Sequence, residues 1–182
     1  MQPNLESISS SYHHDGFAFI GQILDPGEIA SFRAEEARFR PAPMRNDQDA
    51  VGARTLFRSQ LCSYSPVIRA VATNGRHLDT VSALIGPDIA LFYTQFVTKL
   101  PDGDFARGEF PWHQDLGYVA IEPLLKAITV WVALDDVDET NGCVWVQPGS
   151  HHGGLLSHQQ AHADTWHLTV PVTGDGIPVR LK

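Results

Sequence analysis

The chain has 182 residues, enough for one domain with a real core and too few for two comfortable ones. Apolar residues make up 43% and charged residues 19%, and the formal net charge of −8 points away from nucleic acid and membrane surfaces as partners. The two cysteines, Cys62 and Cys143, stand in no metal or redox spacing, the N-terminus has no signal-like segment, and no apolar run approaches the ~20 residues of a membrane span. A reducing, cytoplasmic location fits these features.

Residues 1–15 are polar and are expected to be partly loose, and residues 16–20 read as a short strand. Asp25, Pro26 and Glu28 form a helix-start signal, with Asp as N-cap, Pro in the first turn and Glu three residues after the cap. The helical spacing that follows ends before Pro41. A second helical stretch, residues 65–84, is broken by Asn74 and Gly75 and closes at Gly86 and Pro87. From residue 88 the character changes to β-branched and aromatic runs at 89–100, 127–133, 143–147, 168–172 and 177–181, with turn signals at 138–142 and at Pro148 and Gly149. The pattern predicts one domain, helical over 1–87 and strand-built over 88–182. Its fold class is mainly β with flanking helices (α+β), an antiparallel sandwich or barrel with helices packed outside. The last alternating run leaves a strand edge for a second copy of the chain, as a homo-oligomer, or a partner chain to cover.

The chemistry concentrates in PWHQDLGY, residues 111–118. On a strand, residues two apart share a face, so His113 and Asp115 would present an imidazole and a carboxylate side by side. That is two thirds of the 2-His-1-carboxylate triad of non-heme Fe(II) oxygenases. Chance pairs of this kind are common, and an exposed polar pair at a strand end is the bland alternative. Competing chemistries lack support: there is no Gly-rich phosphate loop, no G-x-S-x-G elbow, and no full loop of oxygen ligands around Asp102, Asp104, Asp135 or Asp136.

With the His-x-Asp pair, an Asn-Gly turn about thirty residues later and the PGSH run at 148–151, the sequence resembles the phytanoyl-CoA dioxygenase family. The resemblance covers most of the chain. HDGF at 14–17 is similar to the family's N-terminal element, and residues 128–154 to its central hairpin. It implies a double-stranded β-helix, or jelly roll, that is incomplete at the C-terminus. It also implies Fe(II), 2-oxoglutarate as cosubstrate and O2, with hydroxylation of a small organic substrate and release of succinate. By position, His113 and Asp115 correspond to iron ligands. Trp131 corresponds to a tryptophan lining the 2-oxoglutarate pocket, Gln95 faces the same site, and Arg54 or Arg58 reaches the cosubstrate from the N-terminal part. The carboxylate at 115 implies oxidation without halide, because related halogenases carry a small residue there.

Family members place a second histidine ligand, and an arginine for the distal carboxylate of 2-oxoglutarate, about one strand past position 182. Neither has a matched position here, which leaves three readings: a fragment, a form completed by another chain, or a non-catalytic binding module. Among the remaining histidines, His151 is expected to hydrogen-bond within its turn. His158, His162 and His167 lie where a helical turn could bring i, i+4 pairs to one side, although surface positions are the bland reading. Trp131, on an apolar run, is expected to be buried.

Overall fold

A computed structural model of the chain describes residues 4–40, 55–99, 110–119, 126–161 and 167–182. Residues 5–15 are helical where a partly loose segment was expected. Asn4 caps helix α1 (Leu5–Asp15), its side chain accepting from the Ser7 N–H at 2.8 Å. Gly16 ends the helix at φ +86° with its N–H on the Tyr12 carbonyl. Residues 16–20 form no strand. The capping box at Asp25 and Glu28 is present in both directions, at 2.9 and 2.8 Å, and starts α2 (Pro26–Phe39) as the sequence predicts. The second helical stretch divides at Gly75 into α3 (Pro66–Asn74) and α4 (His77–Ile85).

Strand β1 (Thr55–Ser59) lies inside the region read as helical. It pairs antiparallel with β2 (Gln95–Lys99), Ser59 opposite Gln95. Two ladders of two residues per strand follow among the described residues: β3 (Trp145–Val146) with β6 (Ile177–Pro178), and β4 (Gln159–Gln160) with β5 (Leu168–Thr169). A single bridge joins Val137 and Leu181. Among the described residues the predicted run at 127–133 joins no ladder, that at 89–100 is paired only over β2, and those at 143–147, 168–172 and 177–181 shrink to two-residue strands. The described residues therefore form a mixed helix-and-strand structure in which no closed barrel is seen.

The main apolar cluster is Leu61, Ile68 and Phe96, flanked by Phe32, Cys62, Tyr64 and Leu134. It sits where α2, α3 and the β1–β2 ribbon meet. Phe32 of α2 stands edge-on to Phe96, with centroids 6.5 Å apart. Polar bonds fix the same junction: Thr98 donates to Glu36 at 2.6 Å, and Arg33 donates to the Leu134 carbonyl at 2.9 Å. The hydrogen bond from Arg40 holds the Glu36 carboxyl below its usual range, against burial.

Leu61 is 2% exposed, so Leu61→Ala is expected to lower unfolding stability by about 2–5 kcal/mol in urea titration; a loss below about 1 kcal/mol would remove this side chain from the core. A second expectation concerns the surface pair Arg180–Glu139, which joins the 177–181 segment to the 138–142 turn. The Arg180 guanidinium lowers the Glu139 carboxyl to about 2. A depressed carboxyl contributes stability above its unfolded value of about 4.5, and that contribution is lost as pH falls through about 2. Glu139→Gln should flatten the fall of Tm across that window, and high salt should shrink the difference between the two proteins.

Candidate functional site

The His-x-Asp pair converges, though not through a strand pleat. Residues 111–114 belong to no ladder and bend at Trp112, and Asp115 opens a 3-10 turn, Asp115–Tyr118. That turn swings the carboxylate back, so His113 Nε2 and Asp115 Oδ1 stand 3.5 Å apart. The imidazole is 28% exposed and the carboxylate 64%.

Each side chain is oriented by its far atom. His113 Nδ1–H donates to the Pro111 carbonyl at 2.7 Å, which fixes the tautomer and turns the Nε2 lone pair toward Asp115. Thr129 Oγ1–H donates to Asp115 Oδ2 at 2.5 Å, leaving Oδ1 on the His113 side. Tyr118 packs edge-on against the imidazole at 5.4 Å and accepts from the Leu168 N–H at 2.8 Å through its hydroxyl. The adjacent Asp115 carboxylate raises the His113 pKa, with burial pulling the other way. In turn His113, then Thr129, lower that of Asp115 against its desolvation.

The segment is anchored on both flanks. Val170 N–H donates to the Trp112 carbonyl at 2.9 Å, and the Trp112 ring fills the space a side chain at Gly176 would need, 2.5 Å from the Cβ position. On the other side, Gln114 and His158 link the pair to residues 154–158.

The other residues singled out by sequence fall in varied places. Trp131, expected to be buried, is 40% exposed, because residues 127–133 join no ladder and nothing covers that face among the described residues. Gln95 is exposed at the start of β2, on the face opposite buried Phe96. Among the described residues no hydrogen bond or ring contact joins Trp131 or Gln95 to the pair. Arg58 stacks over the Tyr64 ring at 4.9 Å, while Arg54 and His162 lie outside the described residues.

Of the histidines expected to share a helical turn, His158 and His167 lie in no helix, and His162 lies outside the described residues. His151 reaches outside its turn: His151 and His152 donate through Nε2 to the His13 and His14 carbonyls at 3.1 and 3.2 Å. His167 is 2% exposed, edge-on to Phe110 at 5.1 Å and near Phe57 at 6.5 Å, a core position that the surface reading missed. The signal that could have found it is the apolar alternation resuming at Leu168.

The donor set fits one divalent ion with open positions. Two donors each about 2.1 Å from a common ion stand about 3–3.4 Å apart, close to the spacing here. A ligating imidazole that donates its other N–H to a backbone carbonyl, and a carboxylate whose second oxygen is hydrogen-bonded, are the usual supporting arrangement for such ligands. No group of three His, Cys, Asp or Glu gathers among the described residues, so the pair is a partial site there.

Comparison with known proteins supplies the family. The family model for phytanoyl-CoA dioxygenase matches residues 12–175. The chain is 27% identical over 164 residues to the peroxisomal phytanoyl-CoA dioxygenase of Bos taurus, which covers 81% of this chain and 48% of that protein. It is 25% identical over 177 residues to the ectoine dioxygenase of Streptomyces anulatus, covering 92% and 58%. A probable phytanoyl-CoA dioxygenase of Caenorhabditis elegans is 30% identical over 111 residues, covering 59% and 36%. The chain thus spans about half the length of the curated relatives it matches. No solved structure matches it. With 164 consecutive positions inside the family model, His-x-Asp pair included, the chain belongs to the phytanoyl-CoA dioxygenase family.

Proposed function

We propose that the chain carries the metal-binding half of an Fe(II)- and 2-oxoglutarate-dependent oxygenase that hydroxylates a small organic substrate. The observation that carries this reading is the 3.5 Å convergence of His113 Nε2 and Asp115 Oδ1, each with its remote atom hydrogen-bonded. Bound iron would activate O2 and couple oxidative decarboxylation of 2-oxoglutarate to substrate oxidation. The chain's own contribution is orientation. Pro111 holds the imidazole tautomer, Thr129 holds the carboxylate plane, and Tyr118 restricts ring rotation. Trp131 and Gln95 are assigned to the 2-oxoglutarate pocket on the family resemblance. In the same reading the short ladders belong to a jelly-roll core in a cytoplasmic protein without nucleic-acid or membrane partners.

A second reading has its own support. With only two donors gathered among the described residues, the third comes from another part of the polypeptide, a second copy or a partner chain. A member that is never completed would serve as a binding module without redox chemistry.

Anaerobic Fe(II) titration with 2-oxoglutarate decides between them. The oxygenase reading expects a visible charge-transfer band and a raised Tm, since ligand at about 100 times its Kd stabilises by about 2.7 kcal/mol. His113→Ala should abolish both. Thr129→Val, which frees one carboxylate oxygen, should weaken metal binding about tenfold while leaving the melting curve of the metal-free chain in place. If the wild-type chain responds only when imidazole is added as a surrogate donor, the externally completed site is the correct one. No response under either condition would sink the oxygenase reading.

A further inference from the structure

We infer that His158 is a positioning residue for the His113–Asp115 pair, acting through the backbone and side chain of Gln114. The inference rests on reading that pair as metal ligands. Gln114, the residue between them, is held by both its backbone and its side chain. Its N–H donates to His158 Nε2 at 3.0 Å. Its side-chain Oε1 accepts from the Leu156 N–H at 2.8 Å, and its Nε2–H donates to the Gly154 carbonyl at 2.9 Å. His158 closes the loop by donating from Nδ1–H to the Leu156 carbonyl at 2.9 Å.

Two consequences follow from donor chemistry. A carbonyl only accepts, so the proton of His158 sits on Nδ1, and its Nε2 lone pair is committed to Gln114. His158 therefore does not supply the third metal donor in this arrangement, despite its place in the histidine-rich segment. The bonded N–H also belongs to the peptide joining His113 to Gln114. Fixing that peptide plane and the Gln114 side chain fixes the directions in which the flanking residues leave the backbone. A ligand pair separated by one residue has few other ways to be held rigid outside a strand.

Steric fit supports the same assignment. The His158 ring lies against Gly117, in the 3-10 turn just after Asp115. A Cβ at position 117 would stand 2.3 Å from His158 Nε2 and 2.4 Å from Cε1. The imidazole thus occupies space that only a glycine leaves open. It touches the metal-pair segment on both sides of Asp115, at the Gln114 N–H and at Gly117.

The test uses the full chain and three variants. His158→Leu removes the acceptor, Gly117→Ala displaces the ring without touching it chemically, and His158→Gln places an amide oxygen where Nε2 was. Amide hydrogen exchange of the metal-free proteins is the first readout. Leu and Ala should accelerate exchange at 113–118 and 154–158 together, leave α2 and α3 unchanged, and Gln should restore protection. Mn(II) binding followed by electron paramagnetic resonance is the second. Affinity should fall 10- to 100-fold, the usual range for losing an outer-shell partner, in the Leu and Ala variants and recover in the Gln variant. Exchange accelerated at 154–158 alone, or Mn(II) affinity unchanged in both disruptive variants, would reduce His158 to a loop anchor and overturn the inference. A wild-type chain that binds no Mn(II) would count against the proposed function, and the exchange data would still decide whether His158 orders residues 113–118.

Discussion

The contact on which the arrangement depends is the one between the C-terminus of α1 and the turn at 148–153. A helix leaves its last four carbonyls without internal partners. In α1 these belong to Tyr12, His13, His14 and Asp15, and each finds one: Gly16 N–H, His151 Nε2, His152 Nε2 and Gly149 N–H. Three of the four partners come from more than 130 residues away. Positive φ at Gly16 and Gly149 makes the fit feasible, since a side chain at Gly16 would meet the His151 ring at 2.5 Å. The N-terminal element and the PGSH run are two halves of one contact.

From that anchored turn the chain enters residues 154–158, which grip Gln114. Order therefore passes from a helix end, through a turn, to the pair at 113 and 115, with a hydrogen bond at each stage. The opposite flank is held by Val170 and by the edge-on contact of Phe110 with buried His167. Two short segments remote in sequence hold the His113–Asp115 pair where a longer ladder would in an extensive sheet. This explains how the His-x-Asp geometry survives outside a strand.

Much of this was legible in sequence, but unevenly. The α2 start and the break between α3 and α4 were readable because Asp25, Glu28 and Gly75 act locally, through caps and backbone preference. Helix α1 was not, because LESISSSYHHD has little amphipathic character and its stability comes from caps and from docking. The strands were over-read for a related reason: β-branched runs such as 127–133 show that a segment suits a sheet, and whether it is paired depends on neighbours the composition does not name. The pairing of His113 with Asp115 was anticipated on the right residues by a different geometry, since i, i+2 convergence arose from the 3-10 turn at Asp115 and not from a pleat.

Glycine positions carry the information that the motif reading left out. Gly16 faces His151, Gly117 faces His158 and Gly176 faces Trp112, and in each case the partner ring stands where a Cβ would be. None of these pairs has a spacing that a local rule could detect. Each records the close approach of two segments distant in the chain, and two of the three lie directly against residues 112–118. In PWHQDLGY, then, the glycine is as much a part of the site as the histidine and the aspartate. His113 and Asp115 face each other, and Gly117 leaves room for the His158 ring that accepts from the Gln114 N–H between them.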